Sequence, residues 1–296
     1  KEDVSGEFQG VGMEIGIRND QLTVISPLEG TPAQRADLRA GDKIVKINDS
    51  STKDMTVDEA VKLIRWPRGT KVVLTIFREG WSETKDFSII REVIEIPSLK
   101  LEMKDNDIAH IKLYQFSEKS RFAFQQTAVE ILNSPAKKII LDLRNNPGGY
   151  LEVAQDIAGW FLEKGKMVTI EDFGGKQENI EYKANGSAKL SSFPLVVLIN
   201  QGSASGSEIL AGALKDNRSI LLIGEKSFGK GSVQTLEELK RGSIKITVAK
   251  WLTPSGKAIE GQGLEPDITV KMTEQDYDED RDPQLDKAIE VIREMK

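Results

Sequence analysis

Three short segments of this chain hold residues whose types and spacing suit chemistry. The first is Asn200-Gln201-Gly202-Ser203-Ala204-Ser205-Gly206-Ser207-Glu208, between an apolar run and a helical pattern. A strand-to-helix turn of small residues can expose a hydroxyl at the helix N-terminus, where backbone N–H groups and the helix dipole stabilise developing negative charge. The same residues also read as a plain helix start, with Ser205 as N-cap and Glu208 completing a capping box; taken alone, the segment favours that reading. The second segment, Gly224-Glu225-Lys226-Ser227-Phe228-Gly229-Lys230-Gly231-Ser232-Val233-Gln234, sets Lys230 between glycines that let another backbone approach closely. If the chain runs extended from there, the even offset puts Gln234 on the face of Lys230, where it could orient the amine; a solvated loop lysine is the ordinary alternative. The third, Asp142-Leu143-Arg144-Asn145-Asn146-Pro147-Gly148-Gly149-Tyr150, is another strand-to-helix turn. Its proline and paired glycines either present N–H groups to an oxyanion or simply turn the chain.

Gly224, Gly229 and Lys230 also fit G-x-x-x-x-G-K, the phosphate-binding loop. Gly231 stands where Ser or Thr would hold magnesium, and Ser232 comes one position late, so this nucleotide reading is the weaker one. The single histidine, His110, alternates with Ala109, Ile111 and Leu113 and reads as a polar-side strand residue. A hydrolase here must recruit it or work without histidine. With no cysteine and one histidine, a cysteine nucleophile, a thiolate metal site, a disulfide scaffold and a histidine-rich metal centre are excluded. No cofactor is called for. The chain has 296 residues and a net charge of −6, which gives it no general attraction for nucleic acid or anionic membranes. No apolar run reaches membrane-spanning length. Because the sequence opens Lys1-Glu2-Asp3 without a methionine, it reads as a processed or truncated product, with residues 1–5 the remnant of an N-terminal segment and any membrane attachment confined to an absent anchor.

The elements that position these segments fall into two domains. Residues 6–92 read as a compact mixed unit: strands over 11–17, 22–25, 43–48 and 71–76, a short helix over 32–38, and a helix from a Thr56 cap through Arg65 with Val57, Val61 and Ile64 on one face. Residues 93–272 alternate strand and helix. The apolar runs 139–143, 195–199 and 219–223 are expected as strands covered on both faces, separated by helices over 122–132, 151–161 and 207–214. An acidic stretch, 274–282, leads to a helix over 283–295 in a C-terminal tail, 273–296. The fold class is α/β in the core and α+β overall.

Together the three segments, with Thr253-Pro254-Ser255-Gly256 and Gly263-Leu264-Glu265-Pro266-Asp267-Ile268 after them, resemble the carboxyl-terminal processing peptidases, or tail-specific proteases. The resemblance covers nearly the whole chain, in order. It implies a crotonase-like, ClpP-like α/β protease core behind an N-terminal PDZ domain. It also implies a serine endopeptidase with Ser205 as nucleophile, Lys230 as base and Gln234 orienting the lysine, and with the N–H groups of Gly206 and Gly149 as oxyanion donors. A free lysine, with a pKa of ~10.4, is protonated at neutral pH, so such a base needs burial with few counter-charges. In the PDZ unit the resemblance makes Gly10, Val11 and Gly12 the carboxylate loop, Met13 the start of the edge strand, and Val61 and Arg65 the helix wall. The implied partners are protein or peptide C-termini, with room for a homo-oligomer or an adaptor, and the implied compartment is extracytoplasmic: bacterial periplasm, cell envelope or a lumenal equivalent. Trp66 stands where the family more often has glycine, which bears on peptide preference. Two rivals from other classes remain open: a non-catalytic peptide binder whose serine and lysine never meet, and a crotonase-like acyl-CoA enzyme, whose fold also builds an oxyanion hole.

Overall fold

The computed structural model describes residues 7–295 except 19, 96–97, 240–241, 274, 277–278 and 280. The expected remnant at 1–5 lies outside them. The chain divides into two compact units, residues 1–97 with 145–147 and residues 98–144 with 148–296.

In the first unit, β1 (Glu7–Gly10) pairs antiparallel with β8 (Glu92–Glu95). A second, antiparallel sheet has the order β2 (Met13–Arg18), β3 (Gln21–Pro27), β4 (Lys43–Ile47), β6 (Lys71–Phe77), β7 (Lys85–Ile90), with β5 (Ser50–Ser51) beside β4. A one-turn helix α1 (Pro32–Arg35) and α2 (Val57–Ile64) complete the unit. The start of α2 is fixed by a capping box: Glu59 N–H donates to Thr56 Oγ1, and Thr56 N–H to Glu59 Oε2. Its end is held by Arg91, a buried guanidinium that donates to the Ile64 and Leu63 carbonyls. The core is apolar alternation from several strands, including Leu22, Val24, Ile44, Ile47, Val72 and Leu74, closed by Ala60 and Ile64 of α2.

The second unit is organised by its crossovers. Its main sheet has the order β18 (Ile268–Thr269), β15 (Leu221–Gly224), β14 (Leu195–Ile199), β11 (Lys138–Asp142), β10 (Ile108–Leu113), β9 (Leu99–Lys104). All neighbours are parallel except the β9–β10 pair. The chain steps from β10 to β11 to β14 to β15 always in one direction. Parallel crossovers are right-handed in nearly all cases, so connections that never reverse place their helices on one face. The connecting helices α3 (Glu118–Leu132), α4 (Leu151–Phe161) and α5 (Gly206–Arg218) accordingly share one core with Ile111, Leu141 and Val197. The opposite face, bearing Ile108, Ile140, Val196, Leu198 and Ile223, is covered by Ala288 and Ile292 of α6 (Pro283–Glu294). An antiparallel sheet, β13 (Ile180–Lys183), β12 (Met167–Asp172), β17 (Gly242–Leu252), β16 (Ser232–Leu239), flanks the main one.

Three features differ from the sequence expectations. His110 is only 6% exposed, because the face it shares with Ile108 lies under α6 and not in water. Helix α3 begins at Glu118, ahead of the expected Phe122, because Ser117 and Ser120 cap it reciprocally through side chain and backbone. The four strands of the flanking sheet had no assignment from apolar alternation: β17 turns Ile244, Ile246 and Val248 outward, half exposed, so its pattern does not mark a single core.

Since α6 closes the second face of the parallel sheet, it belongs to the core of its unit. Ile292→Ala should therefore cost about 2–5 kcal/mol, read as a shift in the denaturation midpoint without a change in m-value; a loss below the lower figure would mean that α6 is a loosely docked appendage.

Candidate functional site

The three chemistry-bearing segments leave the C-terminal ends of three adjacent parallel strands: 143–149 after β11, 200–205 after β14 and 225–231 after β15. Adjacent strands lie about 4.8 Å apart, so loops that leave these three ends are neighbours. Residues distant in sequence are brought together by strand order alone.

Of the three serines in the first segment, Ser203 and Ser207 are fully buried, whereas Ser205 is partly exposed. Ser203 Oγ donates to the Leu143 carbonyl at 2.8 Å and accepts from Asn200 N–H at 2.9 Å, so it staples one loop to its neighbour. Ser205 sits at φ 52°, ψ −115° as the residue before α5. That is a left-handed, strained position for a residue with a side chain, of the kind that persists where surrounding structure over-determines it and that clusters at active sites. It turns the chain sharply from strand to helix and leaves a partly exposed serine at a helix N-terminus.

The glycine pair of the third segment closes against this turn. A Cβ on Gly148 (φ 99°) would lie 2.7 Å from each of Ala204 O, Gly206 N and Ser205 Cβ, so only glycine admits the approach. Gly149 (φ 140°) is as constrained, since a Cβ there would meet the Phe116 carbonyl at 2.2 Å. A parallel bridge between Phe116 and Gly149 fixes the segment through Phe116 N–H to Gly148 O and Tyr150 N–H to Phe116 O, each at 2.8 Å. The Gly149 nitrogen is left beside Gly206: a Cβ built on Gly206 would stand 3.6 Å from it. Two backbone N–H groups from different strand ends thus lie beside the exposed serine.

Glu208 connects the serine to the lysine. It is 1% exposed on the inner side of α5. Its Oε1 accepts from Ser227 Oγ at 2.5 Å and Gly229 N–H at 2.7 Å; its Oε2 accepts from Ser205 N–H and Lys230 N–H, each at 2.9 Å. The backbone nitrogens of Ser205 and Lys230 are therefore gathered around one oxygen. Burial pushes the Glu208 carboxyl up to about 7, against the lowering by the Ser227 hydroxyl and by the N–H groups of Gly229, Lys230 and Ser205. The sequence reading noticed Glu208 only as half of a capping box; that the carboxylate also serves a segment after the next strand has no sequence signal.

Lys230 is partly buried in the loop before β16. Gly229 (φ 88°) and Gly231 let this loop run against the Glu260–Gly263 turn: Gly261 N–H donates to Gly229 O, and Gly231 N–H donates to Glu260 Oε2. Gln234 lies on β16, exposed, just past a register irregularity between Val233 and Gln234. The strand starts at Ser232 and is bulged before Gln234, so the even offset does not fix a shared face with Lys230. The loop enters a strand and not a helix, and Glu208 occupies two of its N–H groups. A phosphate would find neither the helix N-terminus nor the open amides that a nucleotide loop supplies, which disfavours that rival.

In the first unit, Gly10, Val11, Gly12, Met13, Val61 and Arg65 all line one groove of about 140 Å³ between β2 and α2, with Ile15 and Ile64 beside them. Gly12 (φ 77°) packs on Thr31, whose Oγ1 lies 2.8 Å from Gly12 O and 2.6 Å from Leu28 O and shares its one proton between them. β2 is an edge strand of its sheet, open to addition of an extended peptide. Among the described residues no cluster of side chains could hold a metal ion, and no helix is long and apolar enough to cross a membrane.

The model of peptidase family S41 matches residues 107–270, and that of the PDZ domain residues 3–77. A probable CtpA-like serine protease of Staphylococcus aureus is 41% identical over 270 residues, covering 91% of this chain and 54% of the relative. The carboxy-terminal processing protease CtpA of Bacillus subtilis is 40% identical over 273 residues, covering 92% and 58%. The chain thus spans little more than half the length of these curated relatives. Among solved structures, a photosystem II D1 C-terminal processing protease matches with a TM-score of 0.83 at 30% identity, over 90% of this chain and 73% of that one.

The raised Glu208 carboxyl has a sign that can be measured. Folded Glu208 binds its proton more tightly than the unfolded chain, so the stability it contributes is fully present below its ordinary value of 4.5 and is lost as pH rises through about 7. Stability measured against Glu208→Gln, which has no proton to lose, should fall in the parent by roughly 3 kcal/mol between pH 4 and pH 8. A parent-minus-variant difference that stays constant across that range would show that Glu208 does not titrate there.

Proposed function

Because this chain belongs to peptidase family S41, we propose that it is a serine endopeptidase that cleaves proteins recognised at or near their C-termini, with Ser205 as nucleophile and Lys230 as general base. The observation that carries this reading is the Glu208 carboxylate gathering the backbone of a strained, exposed serine and that of a partly buried lysine around one oxygen. Lys230 takes the Ser205 hydroxyl proton as Oγ attacks the scissile carbonyl carbon. The oxyanion is held by the N–H groups of Gly206 and Gly149, and the lysine ammonium then protonates the departing amine. Water then attacks the acyl carbon, giving a proton to Lys230, and the lysine ammonium returns that proton to Ser205 Oγ as the ester C–O bond breaks and the acid leaves. Gln234 is assigned to orienting the amine, on the family resemblance. The core is read as crotonase-like, as in ClpP-like peptidases, on the strength of its singly wound sheet with every crossover helix on one face. Action outside the cytoplasm, in a periplasm, cell envelope or lumen, is likewise inferred from family membership.

Ser205→Ala and Lys230→Ala should each lower peptide cleavage by at least about a thousand-fold while circular dichroism stays unchanged, because either change removes the covalent step. Undiminished cleavage by Ser205→Ala would end this reading. If the parent binds peptides but never cleaves them, the chain is a peptide binder.

The groove beside Gly10–Met13 is proposed to take the substrate's free carboxylate on its loop N–H groups, with the peptide added to β2 and apolar end residues against Val61 and Ile64. A hydrogen bond to a charged group is worth ~1.5–3 kcal/mol, so a peptide with a free apolar C-terminus should bind about ten-fold or more tightly than its C-terminal amide. Calorimetry on the full chain carrying Ser205→Ala reads this directly, and equal affinities would remove tail recognition from the proposal.

A further inference from the structure

We propose that Asp282 and Gln284, in the first turn of α6, are positioning residues for the Ser205 centre, acting from the opposite face of the sheet through Arg144 and the end of β15. This rests on the peptidase reading above and extends it to residues that touch no reacting atom.

Arg144 is the link. Its Nε and Nη2 grip Asp142 at 3.0 and 2.7 Å, and its Nη1 and Nη2 grip Asp282 at 2.7 and 2.8 Å. Nη1 also donates to Gln284 Oε1 at 3.1 Å, so the whole donor set of the guanidinium is engaged. Asp142 is fully buried and is met also by His110 Nε2 at 3.2 Å. Burial alone would raise its carboxyl, but Arg144 and His110 hold it well below the usual range. Asp142 already neutralises the guanidinium. What Asp282 adds is a second bidentate fork, which fixes the guanidinium plane from the α6 side.

That plane matters because of what lies on either side of Arg144 in the chain. Leu143, immediately before it, accepts the Ser203 hydroxyl hydrogen bond and donates its own N–H to Leu198 O. The first of these bonds is the staple that holds the nucleophile turn. Downstream the chain leads to Gly148 and Gly149, the glycines packed on Ser205 and Gly206. Gln284 performs a parallel service on the lysine side: its Nε2 donates to Val270 O at 2.8 Å, Val270 N–H donates to Gly224 O, and Gly224 opens the loop that carries Lys230. Gln284 is 1% exposed. One helical turn therefore holds the roots of both the oxyanion turn and the lysine loop. Asp282 caps the same helix through Leu285 N–H at 3.0 Å, so capping and positioning must be separated by experiment.

Asp282→Ser separates them: serine caps a helix about as well as aspartate, yet offers Arg144 no carboxylate fork. Assayed where circular dichroism shows the variant folded, it should lose kcat by about ten- to a hundred-fold with KM within about two-fold of the parent's, since misplaced catalytic groups weaken the transition state and leave ground-state binding alone. Affinity for a peptide boronate, whose adduct places an oxygen between the Gly149 and Gly206 N–H groups, should fall in proportion to kcat/KM. A merely structural role would lower the folded fraction and leave both quantities unchanged per folded molecule; that result overturns the proposal. Should Asp282→Ser fail to fold, Asp282→Asn, which keeps the cap and one acceptor for Arg144, must show an intermediate loss, and a kcat equal to the parent's overturns it equally. The parent and Ser205→Ala are run alongside. A parent that does not cleave fails the peptidase reading, whereas a cleaving parent matched by Asp282→Ser fails only this one.

Discussion

The buried carboxylate of Glu208 is the constraint on which the second unit turns. Moving an ionised carboxylate out of water is costly; four donors, one hydroxyl and three backbone N–H groups, offset part of that cost, and burial still leaves the carboxyl raised. Those donors come from two loops on neighbouring strands. Neither loop can move away without leaving the carboxylate unsatisfied. The strain stored at Ser205, of order 1–3 kcal/mol, is held in the same way: Glu208 fixes its N–H, α5 follows directly, and Gly148 packs against its Cβ. The arrangement is accordingly made by the scaffold before any substrate arrives, which is the condition for electrostatic preorganisation to act on a transition state.

The winding of the sheet sets which side of the molecule does what. Because every crossover goes the same way, α3, α4 and α5 crowd one face, and the loops after β11, β14 and β15 come out together at one end. Among the described residues the other face is covered by α6 and carries an ionic network of Asp142, Arg144 and Asp282, with His110 Nε2 against Asp142. A buried network of this kind is not a large source of stability, since its desolvation offsets much of its Coulombic attraction. Its value lies in geometry: a guanidinium held by two carboxylates has one orientation, and the backbone on both sides of it inherits that definition.

The first unit works by other means. Its groove lies between an edge strand and α2, lined by Gly10–Ile15 on one side and by Val61, Ile64 and Arg65 on the other. Arg65 lines that groove, and Trp66, two residues past the end of α2, is exposed.

Much of this was legible in the sequence because it is local. Apolar runs at 139–143 and 195–199 mark strands covered on both sides, Thr56 with Glu59 marks the start of a helix, and small residues around Ser205 mark a turn that can expose a hydroxyl. The glycines at 148 and 149 and at 229 and 231 could be seen to permit close approach, though not what approaches. The flanking sheet escaped because β17 turns apolar residues outward, which blurs the alternation. His110 reads as a polar-side strand residue because strand periodicity tells one face from the other but not whether a helix will cover it; α6, from the far end of the chain, does. The role of Glu208 was hidden for a related reason, since a capping box and a bridge between loops look alike when only the near partner is in the same segment. The sequence by itself determined which residues are able to act: a lone histidine, no cysteine, three serines in one turn, a lysine among glycines. Only the tertiary structure decided how they are placed, because strand order sets the meeting of distant loops and burial sets which serine can be reached and which carboxylate must be shared.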